Sequence, residues 1–171
     1  MKLVPTRRTD YAIRALLFMA NDPEDRSKAD DIARAMDIPR GFLPQVLQGL
    51  QRAGLVTSRA SRRGGYALAK PAEDISMLDI VASLEAPLDS GECVLKGGPC
   101  HWEDVCAVHW VWSAAREALA GELAGASLAA IAADDRALAE GSKPVPENAH
   151  RRKRRTGTSA PKTRPSKKGR S

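Results

Sequence analysis

Apolar residues recur at helical spacing near the start of the chain. In residues 10–20 they predict a first helix with its apolar face on Tyr11, Ala12, Ala15, Leu16 and Met19. The break at Asn21-Asp22-Pro23 ends this helix. Ser27 is a suitable N-cap for a second helix that runs to about residue 36.

A third helix is predicted from residue 40 or 41 to about residue 53. Its apolar stripe consists of Phe42, Leu43, Val46, Leu47 and Leu50. Pro44 fits only near the start of such a helix, because only first-turn amides lack helical partners. Gly54 then ends it in the manner of a C′ glycine.

Two short strands follow, over residues 55–59 and 66–69, and the glycine-containing turn between them predicts a β-hairpin. Helix, short break, helix and hairpin is the order of a winged helix-turn-helix. Further helices are predicted over residues 75–84, 107–124 and 127–133, the long one with an apolar stripe on Val108, Val111, Trp112, Ala115, Leu119 and Leu123. The expected fold is therefore mainly α with a small β-hairpin wing.

Charge divides the 171 residues into three parts. Residues 1–70 carry 13 Lys and Arg against 7 Asp and Glu, residues 71–141 carry 3 against 13, and residues 142–171 carry 11 against 1. Basic segments favour phosphate backbones, and an acidic one avoids them. We expect a DNA-binding domain over 1–70, a cysteine loop and long helix over 71–141, and a disordered basic tail over 142–171.

Long polar side chains mark the candidate DNA contacts. Arg40, Gln45 and Gln48 are expected on the exposed face of the third helix, where they can reach base edges in the major groove. The wing carries Arg59, Arg62 and Arg63, which suit phosphates or the minor groove. The alternative for these three arginines is an ordinary solvated loop.

Three cysteines, Cys93, Cys100 and Cys106, lie within 14 residues. No apolar run is long enough for a membrane span and no signal-peptide core is present, so we expect a cytoplasmic protein with reduced thiols. Thiolates favour iron–sulfur clusters, zinc or copper(I), and the closely spaced cysteine pairs typical of zinc sites are absent. An iron–sulfur cluster, of two or four irons, is the favoured interpretation, with three unligated cysteines as the alternative. One ligand position stays open, for His109 or for a carboxylate from elsewhere.

The segment TRRTDYAIRAL at residues 6–16, the wing ending in Gly64-Gly65-Tyr66 and the cysteine triad before a long helix resemble the Rrf2 family over about residues 1–135. This family of winged-helix regulators includes the iron–sulfur sensors IscR, NsrR and RirA. The resemblance implies a homodimer in which the long helix crosses its partner. It also implies a repressor or activator that binds inverted repeats in promoters according to cluster state, in response to nitric oxide, iron or redox state.

The resemblance carries the three cysteines over as ligands and gives two fourth-ligand candidates. Asp10 matches the position where NsrR-like members supply a carboxylate from the partner subunit, and His109 matches the histidine of IscR-like members. The NsrR-like surroundings of Asp10 favour it, although it also suits the N-cap of the first helix. Departures from the family pattern at Pro44 and at Ala60-Ser61 leave the DNA sequence preference open.

A cluster-free regulator that depends on thiols or zinc is the main alternative, and an architectural DNA-binding protein that works through the basic tail is another. An enzyme is not expected, because the chain has no Gly-rich nucleotide loop and no Ser/His/Asp arrangement.

Overall fold

The computed structural model describes residues 5–22, 26–61, 64–85 and 106–146. This part of the chain is mainly helical, with one two-stranded antiparallel hairpin, as the sequence predicts. The elements are α1 (Arg7–Asn21), α2 (Ala29–Ala35), α3 (Leu43–Arg52), β1 (Val56–Arg59), β2 (Gly65–Leu68), a 3₁₀ turn (Ala72–Asp74), α4 (Met77–Ala82), α5 (Ala107–Gly125) and α6 (Leu128–Glu140).

Helices α1 to α3 and the hairpin form the winged helix-turn-helix. Strand β1 pairs with β2 from Val56 opposite Leu68 to Arg59 opposite Gly65. The wing is joined to the start of α2, because Ser27 and Tyr66 exchange two backbone hydrogen bonds of 2.9 and 2.8 Å. The position of the wing relative to the helices is therefore set by backbone pairing.

One hydrophobic core holds the described helices together. Its fully buried side chains include Leu16, Met19, Ile32, Leu47, Leu50, Ile75, Ile80 and Leu128. The last three come from beyond residue 70, so α4 and α6 share the core of the winged helix. Backbone hydrogen bonds from Leu128 to Ile75 (2.7 Å) and from Met77 to Ala126 (2.8 Å) fix the junction between α5 and α6 against the start of α4.

Two predicted helix caps are wrong. Helix α1 begins before Asp10, because the Thr6 side chain accepts a hydrogen bond from the Thr9 amide and so acts as N-cap. Asp10 instead lies in the first turn. Ser27 is occupied by its pairing with Tyr66, and α2 begins at residue 29 after Lys28, which provides no side-chain cap.

Other local predictions are confirmed. Pro44 lies in the first turn of α3, and Gly54 follows the helix with a left-handed φ of 70°. The long helix has nearly the predicted bounds, whereas α6 continues past residue 133 until Gly141, with a φ of 78°, ends it. The predictions for the cysteine loop up to residue 105, for Arg62 and Arg63, and for the tail from residue 147 lie outside the described residues.

Candidate DNA-binding surface and cysteine site

Helix α3 separates a buried face from an exposed one. Leu43, Val46, Leu47 and Leu50 are at most 1% exposed and hold the helix against the core. Gln45 and Gln48 are exposed on the opposite side, as the sequence predicts for side chains that read bases. The Arg52 guanidinium lies 3.4 to 3.5 Å from the backbone and side-chain oxygens of Gln48, so it can orient that amide.

Arg40 is not on the exposed face of α3, contrary to the prediction. The helix begins three residues later, because the intervening residues form a turn before Phe42, which takes the N-cap position. The Arg40 side chain is exposed and lies 3.6 Å from the Asp30 carboxylate. It therefore lies beside the N-terminal end of the helix.

The wing needs glycine at two positions. A Cβ atom at Gly64 would lie 1.9 Å from the Arg59 carbonyl oxygen, and one at Gly65 would lie 2.6 Å from the Ser27 carbonyl oxygen. Gly65 also has a φ of 151°. Arg59 is the last residue of β1 and is exposed, and the other two predicted arginines lie outside the described residues.

The first turn of α1 and the start of α3 enclose a surface pocket of about 170 Å³. It is lined by Arg7, Arg8, Tyr11, Phe42, Gln45 and Val46. The Tyr11 and Phe42 rings lie 6.2 Å apart, and Phe42 is 58% exposed although the sequence pattern assigns it to the apolar stripe. Sequence reasoning missed this pocket, and the adjacent arginines after Thr6 were the signal that could have drawn attention to it.

Cys106 is the N-cap residue of α5, and its free thiol is partly buried. The backbone amide of His109 donates to the Cys106 carbonyl over 3.0 Å, and the His109 Nε2 atom lies 3.4 Å from the Ser113 hydroxyl. Cys106 and His109 thus lie within one helical turn. Cys93 and Cys100 are outside the described residues, and within the described ranges no group of three metal-ligating side chains occurs.

Asp10 lies on α1 and is held by Arg14 one turn later. Its two carboxylate oxygens accept from Arg14 Nε at 3.0 Å and Arg14 Nη2 at 2.9 Å. Arg14 also donates to the Met36 carbonyl at 3.4 Å, which connects the pair to the end of α2. The Asp10 side chain is about half exposed.

Glu85 connects the end of α4 to the start of α1. Its Oε1 atom accepts from the Thr9 hydroxyl and, over 2.9 Å, from the Thr6 amide. These bonds, first that from Thr9 and then that from Thr6, lower the pKa of Glu85 below its ordinary 4.5. The neighbouring Leu84 reaches α3, since a Cβ at Gly49 would lie 2.7 Å from Leu84 Cδ2 and 3.0 Å from Arg8 Nη2.

Helix α5 exposes apolar side chains within the described chain. Trp110 and Val111 are 70% and 71% exposed, Val108 is 42% exposed, and no α5 residue is buried. The indole N–H of Trp112 is buried and finds no hydrogen-bond acceptor among the described residues. A monomeric soluble protein rarely leaves such a set of large apolar side chains uncovered.

The family model of Rrf2, described as an iron-dependent transcriptional regulator, matches residues 5–134. The chain belongs to the Rrf2 family. It is therefore a DNA-binding transcription regulator with a winged helix, and not an enzyme. Among the described helices, none is long and apolar enough to cross a membrane.

Two curated relatives match more than half of this Rrf2 protein. Protein aau3 of Rhizobium meliloti is 37% identical over 115 residues, which cover 67% of this chain and 73% of the relative. A protein of Mycobacterium tuberculosis, whose name places it among HTH-type transcriptional regulators, is 33% identical over 126 residues, 73% of this chain and 78% of the relative.

Solved Rrf2 structures show the same fold. IscR of T. potens matches with a TM-score of 0.65 and 25% identity, over 85% of this chain and 95% of that one. The oxidized form of Staphylococcus aureus CymR matches with a TM-score of 0.60 and 26% identity, over 77% of this chain and 96% of that one. CymR of B. subtilis, described as the global cysteine regulator, has a TM-score of 0.67 at 24% identity. The match covers 78% of this chain and 98% of that one, and it supports the fold alone.

Proposed function

We propose that this Rrf2 protein is a cytoplasmic, homodimeric repressor whose promoter binding is controlled by an iron–sulfur cluster. The observation that carries the proposal is the cysteine triad, which ends in a free, partly buried Cys106 at the N-cap of α5. Three soft thiolate donors on a short segment suit an iron–sulfur cluster. The iron-dependent character of the matched family supports the same choice.

Cys93, Cys100 and Cys106 would hold the cluster, and Asp10 from the partner subunit would complete it. Arg14 binds both Asp10 oxygens, and metal-ligating carboxylates are generally oriented by such hydrogen bonds. His109 is the alternative fourth ligand, because it lies one turn from Cys106. A carboxylate or imidazole in place of a fourth thiolate would leave the cluster easier to attack, which suits a sensor of nitric oxide, iron or redox state.

Operator binding would use both parts of the winged helix. Gln45 and Gln48 would read bases of an inverted-repeat promoter site in the major groove, with Arg40 beside them. Arg59, Arg62 and Arg63 of the wing would contact phosphates or the minor groove. Changing Arg62 and Arg63 to Ala should weaken operator binding, and unchanged affinity would remove the wing from this function.

Anaerobic purification of the full chain from cells competent in cluster assembly tests the cofactor. The expected product is brown, contains iron and acid-labile sulfide, and loses its visible absorption bands when nitric oxide or an oxidant is added. Binding of the loaded and cluster-free protein to the same selected DNA duplex then shows whether the cluster controls affinity. A colourless protein without iron would contradict the cluster proposal.

A cluster-free thiol regulator is the second candidate. It is favoured by the likeness to the oxidized form of Staphylococcus aureus CymR, at 26% identity over most of that chain. In that case the purified protein would contain no iron, and its DNA affinity would change with a thiol oxidant and return with a reductant. Bound zinc, measured in the same metal analysis, would indicate the zinc-dependent variant of this alternative.

A further inference from the structure

We propose that the pocket between α1 and α3 receives a phosphate of the DNA backbone, with Arg7 and Arg8 as its cationic walls. The inference rests on the proposed DNA-binding function and adds residues to it. These two arginines in the first turn of α1 are not among the DNA contacts predicted from the sequence. They extend the predicted interface from α3 and the wing to the start of the first helix.

The first observation is the charge of the pocket. Arg7 and Arg8 are exposed, and neither forms a hydrogen bond or a salt bridge with a residue that the structure describes. The Glu85 carboxylate attracts Arg8, but the hydrogen bonds it accepts come from Thr9 and Thr6, and it forms no salt bridge with Arg8 among the described residues. The guanidinium groups are therefore available to an anion from outside, and arginine binds phosphate oxygens in a geometry that lysine cannot match.

The second observation is the apolar floor. Tyr11 and Phe42 form an aromatic pair, and Val46 beneath them is 1% exposed. Phe42 leaves more than half of its surface in contact with solvent, which is unfavourable for a phenyl ring with no further role. A deoxyribose next to the bound phosphate would cover this ring. The volume of about 170 Å³ is enough for one phosphate group, since it corresponds to roughly five or six molecules of liquid water.

The third observation is the location of Gln45. This side chain lines the pocket and also belongs to the exposed face of α3. In helix-turn-helix complexes the strands that border the major groove pass beside the recognition helix, and phosphate contacts there set its register. A phosphate in this pocket would lie next to Gln45, which is predicted to read a base. The pocket would therefore fix where α3 enters the groove.

The test measures DNA affinity of the full chain over a series of salt concentrations, with two duplexes. One is the duplex that the wild-type protein enriches from a random-sequence pool, and the other is a scrambled duplex of the same composition. Arg7→Ala should weaken binding to both duplexes by a similar factor, roughly three- to tenfold, and reduce the salt slope by about 1. Arg7→Lys should retain the slope.

Two further variants make the result specific. Phe42→Ala should weaken binding without changing the salt slope, because it removes apolar contact and no charge. Arg136→Ala is the matched control: Arg136 donates to Asn21 at the far end of α1, about 20 Å from Arg7, and its loss should leave both affinities unchanged. All four variants should unfold at the wild-type temperature, because the substituted side chains are exposed.

Three outcomes would overturn the inference. If Arg7→Ala has the same DNA affinity and the same salt slope as the Arg136→Ala control, no phosphate binds in the pocket. If Arg7→Ala weakens binding to the enriched duplex and not to the scrambled one, the pocket contributes to sequence recognition and not to phosphate binding. A wild-type chain that enriches no sequence and binds neither duplex removes the proposed function, and the inference with it, whereas the first two outcomes leave that function intact.

Discussion

The Thr9 hydroxyl donates a hydrogen bond to the Glu85 carboxylate, which joins residues 76 positions apart in the chain. Thr9 is fully buried and directly precedes Asp10. Glu85 is the last described residue before the segment that carries Cys93 and Cys100. The bond therefore joins the residue before Asp10, a candidate fourth ligand, to the residue that directly precedes the cysteine segment.

Removing this bond should destabilise the fold in a pH-dependent way. Thr9→Val deletes the hydroxyl at nearly constant volume and should lower the free energy of unfolding by about 1 to 2 kcal/mol at pH 7, because a hydrogen bond to a charged acceptor is lost. The folded-state pKa of Glu85 lies below its ordinary 4.5, so its ionised form stabilises the fold above that pH. This stabilisation should decrease as the pH falls below 4.5 towards the folded-state pKa.

Urea unfolding of wild type, Thr9→Val and Glu85→Gln between pH 3 and pH 7 measures the effect. Wild type should lose stability relative to Glu85→Gln over the acidic part of this range. Glu140→Gln, at an exposed position at the end of α6, is the control for loss of one carboxylate. Parallel pH profiles for wild type and Glu85→Gln would show that the Glu85 charge contributes nothing.

Asp10→Ala should destabilise the cluster more than His109→Ala. The reason is that Arg14 already orients the Asp10 carboxylate, whereas the His109 ring has only a 3.4 Å contact with Ser113 among the described residues. The measurement is the rate at which the visible absorption of anaerobically purified protein decays in air. If only His109→Ala changes the spectrum, the Asp10 assignment is wrong and the histidine completes the cluster.

A charge on the exposed face of α5 should prevent dimer formation. Val111 is 71% exposed in the described chain, and an isologous interface would place it against the partner helix. Val111→Asp should therefore shift the mass measured by light scattering towards the monomer. Ala133→Asp, on the exposed part of α6, is the matched control and should leave the mass unchanged. A dimeric Val111→Asp protein would exclude Val111 from the interface.

Deletion of residues 142–171 should reduce sequence-independent DNA affinity and leave operator recognition in place. The deleted part carries 11 basic residues against one acidic residue, so it should add affinity for any duplex and a steeper salt dependence. Competition between the enriched and scrambled duplexes measures the ratio of the two affinities, which should increase on deletion. Loss of nearly all binding would instead indicate a tail-driven architectural protein.

The sequence predicted local structure best where a residue type restricts the backbone, as proline and glycine do. Pro44 could only lie in the first turn of α3, and Gly64 and Gly65 predicted the tight turn of the wing, where the structure leaves no room for a Cβ. Hydrophobic periodicity located α1 and α3, because one buried face holds each of them against the core. The family resemblance added the cysteine triad as a set of ligands, which spacing alone left open.

The prediction was wrong where tertiary contacts compete with local preferences. Ser27 is a good N-cap by residue type, but the backbone of the wing pairs with it. Phe42 has the spacing of a core residue, yet it lies at the start of α3 where the core ends, and it packs on Tyr11 instead. The contact of Glu85 with Thr9 spans most of the described chain, and no local pattern marks such a pair.

Gly49 leaves the backbone of α3 without a side chain at this position. Leu84 and Arg8 occupy the space that a Cβ atom there would need. Close-packed interfaces transmit displacement rather than absorb it. The end of α4 cannot move by an ångström towards α3 without pushing on the helix that carries Gln45 and Gln48. The segment with the first two cysteines begins one residue after Glu85. A displacement at residue 85 would therefore reach α3, the helix predicted to read bases, through the side chain of Leu84.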